Sequence, residues 1–317
     1  MAFDKMKTFI DKLYAAKPYT FDYSHEDQWS PSADAYRELQ APPKARSLEG
    51  MFYSSMSFGM KTIGRLSKGM RLGYETGFDS GSTLDYVYRN YPEGTGILGR
   101  MIDRHYLSSI GWQGIRVRKV NIQQVIEQAV ARLKESDMPV RVVDIAAGHG
   151  RYVLDALEKH QDIESILLRD YSDLNVEKGQ AMIEERGLSH VAQFKKGNAF
   201  DYDSLATLEP APTLGIVSGL YELFPDNALI KASLAGLAAA IPPGGVLVYT
   251  GQPWHPQLKT IAYTLTSHQN GIPWMMRVRT QKEMDTLVEL AGFEKCHQVI
   301  DEFGIFTVSL AVRKQHG

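Results

Sequence analysis

The stretch Val140–Tyr152, VRVVDIAAGHGRY, constrains the fold of this chain more than any other segment. A short apolar run ends in an acid, Asp144, and small residues follow before a helix-like segment begins. This order predicts a buried strand followed by a glycine-lined loop, where a cofactor can lie against bare backbone. The loop residues predicted to contact that cofactor, besides Asp144, are Ala146, Gly148, His149 and Gly150.

The acid beside the loop discriminates between cofactors. A loop that binds pyrophosphate keeps its amides free for the anion and avoids a carboxylate. S-adenosyl-L-methionine (SAM) has an ammonium, a sulfonium and no phosphate, so Asp144 favours SAM. The alternative is a nicotinamide cofactor on a similar sheet. Against it, Tyr152 or Val153 stands where the third glycine of G-x-G-x-x-G would fall.

Strand and helix signals alternate from residue 119 to residue 312, which predicts an α/β fold with a Rossmann-like, doubly wound, mainly parallel sheet. Two terminal runs, about Phe293–Ile300 and Ile305–Val312, predict an antiparallel hairpin. Asn121 and Gln124 resemble a capping box, which predicts that the first core helix begins there. Further helices are predicted at about 175–186, 227–240 and 281–290.

Residues 1–118 have a different composition, rich in Tyr, Ser, Gly and Met and punctuated by prolines. They predict a helical or irregular accessory region that covers the substrate, while residues 119–317 form the core. On a helical wheel over residues 51–74, an apolar cluster lies roughly opposite a basic one. A basic amphipathic helix can lie on an anionic membrane or cover an apolar substrate, which makes residues 56–71 a candidate peripheral membrane contact. The alternative is a solvated helix whose Met face packs on the core.

In open α/β sheets, ligands bind outside the carboxyl ends of the strands. Asp170 ends the predicted second strand, 20 residues after Gly150, where an acid can accept both ribose hydroxyls. Asn198 could bond the adenine edge and Phe200 could pack near its face. As structural alternatives, Asp170 could cap a helix, Asn198 could form a turn and Phe200 could belong to the core. Asp173 is a nearby rival of Asp170 for the ribose. The predicted cofactor contacts at these strand ends are Asp170, Asn198, Ala199, Phe200 and Ser218.

The order of these motifs resembles that of class I SAM-dependent methyltransferases over about residues 120–312. The resemblance rests on the glycine loop, Asp170, Gly197–Asp201 and Pro242–Gly245. It implies a Rossmann-like core and SAM as the cofactor. Two positions depart from the family pattern. Ala146 stands where the first loop glycine is usual, and Asn198 stands where an acid is often found.

A narrower resemblance covers nearly the full chain. Gly77–Gly81, Leu84–Arg89 and Gly111–Arg116 are similar to motifs of a bacterial methyltransferase family, whose members are sometimes fused behind an α/β-hydrolase domain. This resemblance implies methyl transfer without implying a particular acceptor.

Methyl transfer is an in-line displacement, so the protein must align the acceptor and exclude water. A base is needed only if the acceptor arrives protonated. His255, just past the predicted fifth strand, is the leading candidate for that base, and Tyr221 and Glu222, after the fourth, are predicted to contact the substrate. As structural alternatives, His255 could be hydrogen-bonded only to the backbone, Tyr221 could be a packed aromatic ring and Glu222 could be an acid at a helix N-terminus. No metal site is expected, because no His and carboxylate pair has ligand spacing on one element.

Composition limits the other function classes. The net charge of −2 gives no indication of a nucleic-acid partner, and the chain lacks an apolar run long enough for a transmembrane helix. The single cysteine, Cys296, excludes an internal disulfide and fits a cytoplasmic location. The sequence thus predicts SAM-dependent methyl transfer to an oxygen or nitrogen of a small or lipid-like acceptor. The alternatives are a nicotinamide-dependent oxidoreductase and a non-catalytic SAM-binding protein.

Overall fold

The computed structural model describes residues 31–315. Residues 1–30 of the predicted accessory region and residues 316–317 of the predicted core lie outside this range. The centre of the structure is a seven-stranded sheet with the order β3-β2-β1-β4-β5-β7-β6. The strands are β1 (Val140–Asp144), β2 (Ile163–Asp170), β3 (Ala192–Lys196), β4 (Leu214–Val217), β5 (Val246–Gly251), β6 (Phe293–Ile300) and β7 (Thr307–Arg313).

Five strands of this sheet are parallel, and the last two form an antiparallel hairpin. β1 pairs in parallel with both β2 and β4, so the strand order reverses between β1 and β4. β7 pairs antiparallel with β5 and with β6. The predicted Rossmann-like sheet with a terminal hairpin is confirmed, and its switch point lies at the carboxyl end of β1, where ligands bind in such sheets.

Helices surround the sheet and form the described part of the accessory region. Helix α10, which coincides with the predicted 227–240 segment, is buried along most of its length. Within the described residues, no helix is long and apolar enough to cross a bilayer. The helices are α1 (Pro31–Leu39), α2 (Leu48–Lys61), α3 (Lys68–Thr76), α4 (Gly81–Arg89), α5 (Gly96–Leu107), α6 (Ile110–Glu135), α7 (Arg151–Leu157), α8 (Asp173–Glu185), α9 (Tyr202–Ala206), α10 (Asn227–Ala240), α11 (Leu258–Thr264) and α12 (Gln281–Leu290).

Helix α6 joins the accessory region to the core. Its predicted start at Asn121 is wrong, because the helix is continuous from Ile110, and Trp112 and Ile115 are already buried in its first turns. The predicted boundary between residues 118 and 119 therefore falls inside a helix rather than in a linker. The apolar face predicted for helix α6 is fully buried. It consists of Ile122, Val125, Ile126, Ala129, Val130 and Leu133.

The single amphipathic helix expected over residues 51–74 is divided into three pieces. Helix α2 ends before Thr62, a 3₁₀ turn covers Ile63–Leu66, and Ser67 caps α3 by accepting the amide of Met70 at 3.0 Å. The break is held by Asp103 of α5, a fully buried carboxylate that accepts the Ser67 hydroxyl. Because the Ser67 cap starts a new helix, the methionine face is bent instead of straight.

Candidate active site

The loop after β1 uses its own backbone amides. Gly148 N donates to Asp170 Oδ2 at 2.9 Å, and Ala146 N donates to Asp144 Oδ1 at 3.1 Å. The amides of Ala147 and Gly150 donate to backbone carbonyls. Pyrophosphate-binding loops need such amides free for the anion. These four bonds therefore disfavour a dinucleotide at this loop.

Asp144 lies beneath the loop that follows β1. Its carboxylate is fully buried there, and it accepts the Tyr152 hydroxyl and the Ala146 amide. Burial raises the pKa of Asp144 to about 7. These hydrogen bonds support the loop from below, and direct contact of Asp144 with a cofactor stays a prediction.

The other predicted cofactor residues meet in one cavity of about 330 Å³ at the carboxyl ends of β1 to β4. Asp170 lines this cavity, and its carboxylate also accepts hydrogen bonds from Ser172 N at 2.9 Å and Asn175 Nδ2 at 3.0 Å. We call this space the first cavity. The predicted residues that line it are Ala146, Gly148, His149, Gly150, Asp170, Asn198, Ala199, Phe200 and Ser218.

Asn198 and Phe200 serve the fold and the first cavity together. Asn198 Oδ1 accepts Phe200 N at 3.0 Å, the turn geometry expected of a short amide side chain. The Phe200 ring is buried, with its centroid 4.5 Å from that of Phe224. Both residues also line the first cavity, so the turn and the packing are observed while their contact with a cofactor stays a prediction.

Ser218, at the end of β4, has an unsatisfied hydroxyl. Its Oγ is buried and has no hydrogen-bond partner within residues 31–315. Buried polar atoms without a partner are rare in folded proteins and call for a ligand or water. Since Ser218 lines the first cavity, its hydroxyl is a ready contact for a polar group bound there.

The start of helix α4 covers the first cavity. An added Cβ at Gly81 would lie 2.8 Å from Gly148 Cα, so the two glycines let the accessory region approach the loop closely. Ser82 Oγ lies 3.2 Å from His149 Nε2, and Arg151 Nε donates to Asp85 at 2.5 Å. Sequence reasoning missed these roles, although Gly81 belongs to one of the motifs that carried the narrower resemblance.

The charges around the first cavity do not favour a polyanion. Three carboxylates and two guanidinium groups line it. Burial lowers the pKa of His149, which keeps that imidazole neutral. Burial alone would also lower the pKa of His268, but Asp79 beside it, 3.1 Å from Nδ1, raises it. Even with His268 protonated, the lining carries no excess of cations to hold a pyrophosphate. The charged side chains counted are Asp79, Asp85, Asp170, Arg118 and Arg151.

A second cavity of about 560 Å³ opens beside the first. Its walls are mostly apolar, built by α2, α5, α6, α11 and the loop before α12. The two cavities share five lining residues, namely Asp79, Leu84, Arg118, Gly219 and Leu223. They are therefore adjoining compartments of one site. The apolar residues that line the second cavity include Met56, Met60, Met70, Ile102, Trp112, Ile115, Trp274 and Met276.

Arg118 stands at the junction of the two cavities. It is 2% exposed, its Nη1 lies 3.6 Å from Glu222 Oε1, and its guanidinium lies 4.8 Å from the centre of the Phe306 ring. Its Nε has no hydrogen-bond partner in the described part of the chain. Sequence reasoning missed Arg118. The available signal was an arginine between Ile115 and Ile122, within the stripe that α6 buries.

Of the three residues predicted to act on the acceptor, two line the second cavity and one lies outside both cavities. Glu222 lines the second cavity, where burial raises its pKa despite the opposing effect of Arg118. His255 lines it too, with Nδ1 accepting Gln257 N at 3.1 Å. Tyr221 lines neither cavity. Its ring is buried, and its hydroxyl forms a hydrogen bond with Ser233 Oγ at 2.9 Å. The observed contacts of Tyr221 are those of a packed side chain, and its contact with the substrate stays a prediction.

The protonation of His255 follows from its surroundings. Burial lowers its pKa to about 4, so the imidazole is neutral near pH 7. Because Nδ1 accepts a backbone amide, the hydrogen of the neutral ring resides on Nε2. This arrangement favours a hydrogen-bond donor over a proton acceptor. Among residues 31–315, no group of three His, Cys, Asp or Glu side chains is arranged to hold a metal ion.

Comparison with known proteins assigns the family. Residues 6–313 match the model of a family described as "Putative methyltransferase". The chain belongs to this methyltransferase family. It is 58% identical over 316 residues to the uncharacterized protein YnbC of Escherichia coli (strain K12), covering 100% of this chain and 54% of YnbC. The chain therefore spans about half the length of that relative.

Two crystal structures share its fold. One is a protein described as a possible exported protein from Bordetella parapertussis, with a TM-score of 0.63 and 15% identity, covering 93% of this chain and 100% of that one. The other is magnesium protoporphyrin IX methyltransferase (ChlM) from Synechocystis PCC 6803 with bound S-adenosylhomocysteine (SAH). Its TM-score is 0.52 at 18% identity, covering 80% of this chain and 99% of that one. At such identities the likeness concerns the fold.

Proposed function

We propose that this chain transfers a methyl group from SAM to an oxygen or nitrogen of a small or lipid-like acceptor. The observation that carries the proposal is the junction of the two cavities at five shared residues. In-line displacement requires the donor and the acceptor to meet in a fixed geometry with water excluded. Membership of a methyltransferase family supports the same reaction class.

The first cavity fits SAM in size and chemistry. SAM supplies, when bound, a methyl group already activated by the positive sulfur. Asp170 would accept the ribose hydroxyls, Asn198 and Phe200 would meet the adenine, and the unpartnered Ser218 hydroxyl would find a polar group there. The loop amides that a pyrophosphate would need are already bonded, which leaves the oxidoreductase alternative without its anchoring contacts.

The second cavity sets the class of acceptor. Its apolar walls suit an alkyl or aromatic body, and two of its charged residues, Asp79 and Arg118, also line the first cavity. An acceptor would thus place its body among the methionines and its oxygen or nitrogen near Arg118, Glu222 and His255. The cytoplasmic location, the absence of a nucleic-acid partner and the division at residue 118 stay predictions.

His255 would donate Nε2–H to the acceptor and fix its orientation. His255→Ala is expected to lower kcat/KM at least about tenfold, near the value of one hydrogen bond (~1.4 kcal/mol), while SAM affinity stays near wild type. His255→Gln retains an amide donor and is expected to recover part of the loss. The rate should show no inflection from His255 between about pH 6 and 8, since its pKa lies near 4.

The matched control is His190→Gln, an exposed histidine outside both cavities. Steady-state rates of the three variants with one acceptor, and calorimetric SAM affinities, provide the comparison. If His255→Gln were as inactive as His255→Ala and the wild-type rate fell with a pKa near 6 to 7, a general base would replace the donor.

Transfer of labelled methyl groups tests the proposed function directly. The protein would be incubated with methyl-labelled SAM and a panel of apolar alcohols, phenols, amines and carboxylic acids, and label would be counted in the extracted product. We expect label on an amphiphilic acceptor and none without protein. Tight SAM binding with no transfer to any acceptor would favour the non-catalytic alternative.

A further inference from the structure

Large apolar side chains are exposed on two neighbouring accessory helices. On α2 and the 3₁₀ turn that follows it, Phe58 is 71% exposed and Ile63 is 64% exposed. On α5, Ile97 is 74% exposed and Met101 is 64% exposed. Single exposed apolar residues are ordinary, but a group of this size on a soluble surface marks a place of interaction.

The elements that carry these exposed side chains also line the second cavity. Ile63 lines that cavity although most of its side chain is exposed, so it stands at the rim. Ile102 and His105 of α5 also line it. Residues three or four apart on a helix are neighbours, which places Met101 beside His105 on the outer side of the same rim. The apolar interior of the cavity therefore continues onto an apolar surface.

Basic side chains are interspersed with the exposed apolar ones. Lys61, Arg65, Arg100 and Arg104 are exposed, and none of them forms an ion pair within residues 31–315. Between residues 44 and 74 the sequence has six Lys and Arg and one acid, Glu49, which pairs with Lys259. Cations beside exposed apolar groups match the two forces that hold a protein on an anionic bilayer.

We propose that this rim, formed by α2, the 3₁₀ turn and α5, docks on the surface of an anionic lipid bilayer. Phe58, Ile63, Ile97 and Met101 enter the interface between headgroups and acyl chains, while the side chains of Lys61, Arg65, Arg100 and Arg104 meet lipid phosphates. The second cavity then opens toward the bilayer. The claim that an apolar acceptor enters from the lipid rests on the proposed function; the docking itself does not.

Vesicle sedimentation of the full chain tests the docking. The wild-type chain is expected to bind vesicles of phosphatidylcholine and phosphatidylglycerol at least about tenfold more tightly than vesicles of phosphatidylcholine alone, and to be released by salt. The double variant Phe58→Ser with Ile97→Ser is expected to bind at least about tenfold more weakly. The control Leu290→Ser changes an apolar residue of α12 that is also 71% exposed, and should bind like wild type.

Each other occupant of this surface would give a distinct result. Binding that appears only after removal of residues 1–30 would overturn the proposal, because the chain's own first segment would then cover the rim. A double variant that dissociates an oligomer in gel filtration would assign the rim to a second copy. Calorimetric SAM titration of the same samples separates the two proposals. If the wild-type chain binds SAM but not vesicles, the docking alone is contradicted. If the wild-type chain does not bind SAM, the proposed function is contradicted.

Discussion

Asp170→Ala is expected to weaken SAM and SAH binding by at least about tenfold, or about 1.4 kcal/mol. Hydrogen bonds to a charged group contribute about 1.5–3 kcal/mol each when they are made in a protected site. The variant also removes the acceptor of Gly148 N, which loosens the loop. Calorimetric titration of wild type and variant with SAH measures the combined effect.

A modified ligand separates the ribose contact from the loosened loop. Wild type should bind the 2′-deoxy derivative of SAH more weakly than SAH, whereas Asp170→Ala should bind the two almost equally. Asp173→Ala is the control, because Asp173 is a nearby acid whose side chain is 82% exposed and pairs with Lys196. An undiminished preference for SAH over the deoxy ligand in Asp170→Ala would remove Asp170 from the ribose site.

Arg118→Met is expected to lower the free energy of unfolding by about 3 kcal/mol, because it removes the cation that pairs with the buried Glu222 carboxylate. It also removes the guanidinium from the face of Phe306. Burial already raises the pKa of Glu222, and loss of Arg118 raises it further. The deficit should therefore shrink as the pH falls, since protonated Glu222 carries no charge to compensate. Urea unfolding at several pH values measures this.

A second substitution tests whether charge is the cause. Arg118→Met combined with Glu222→Gln is expected to recover a large part of the lost stability, because the double variant removes both members of this ion pair. Arg132→Met, an exposed position of the same helix, should change stability by less than about 0.5 kcal/mol. A single variant at Arg118 as stable as the Arg132 control would show that the Arg118–Glu222 pair has little energetic weight.

The core fold follows from the sequence because its signals are local. Each buried strand is a short apolar run ended by turn residues, and Thr280 caps α12 by accepting Glu283 N at 3.1 Å, as a capping box predicts. The start of α6 was misplaced because Asn121 and Gln124 imitate a cap inside a helix whose beginning is fixed by packing of Trp112 and Ile115.

The site was predictable in its loops and unpredictable in its side-chain directions. The residues at four strand ends converge because parallel strands end at one edge of a sheet. The direction of Asp144, down to the Tyr152 hydroxyl, depends on a helix that sequence spacing does not orient. Arg118 and Gly81 reach the site through the tertiary packing of the accessory region, which no local pattern encodes.

Calorimetric titration of the full chain with SAH and with NADH tests the central claim most directly. The loop amides, the lining charges and the unpartnered Ser218 hydroxyl all predict micromolar binding of SAH, one site per chain, and no heat from NADH. Binding of NADH with no binding of SAH would contradict the assignment of the first cavity, and with it the proposal of methyl transfer.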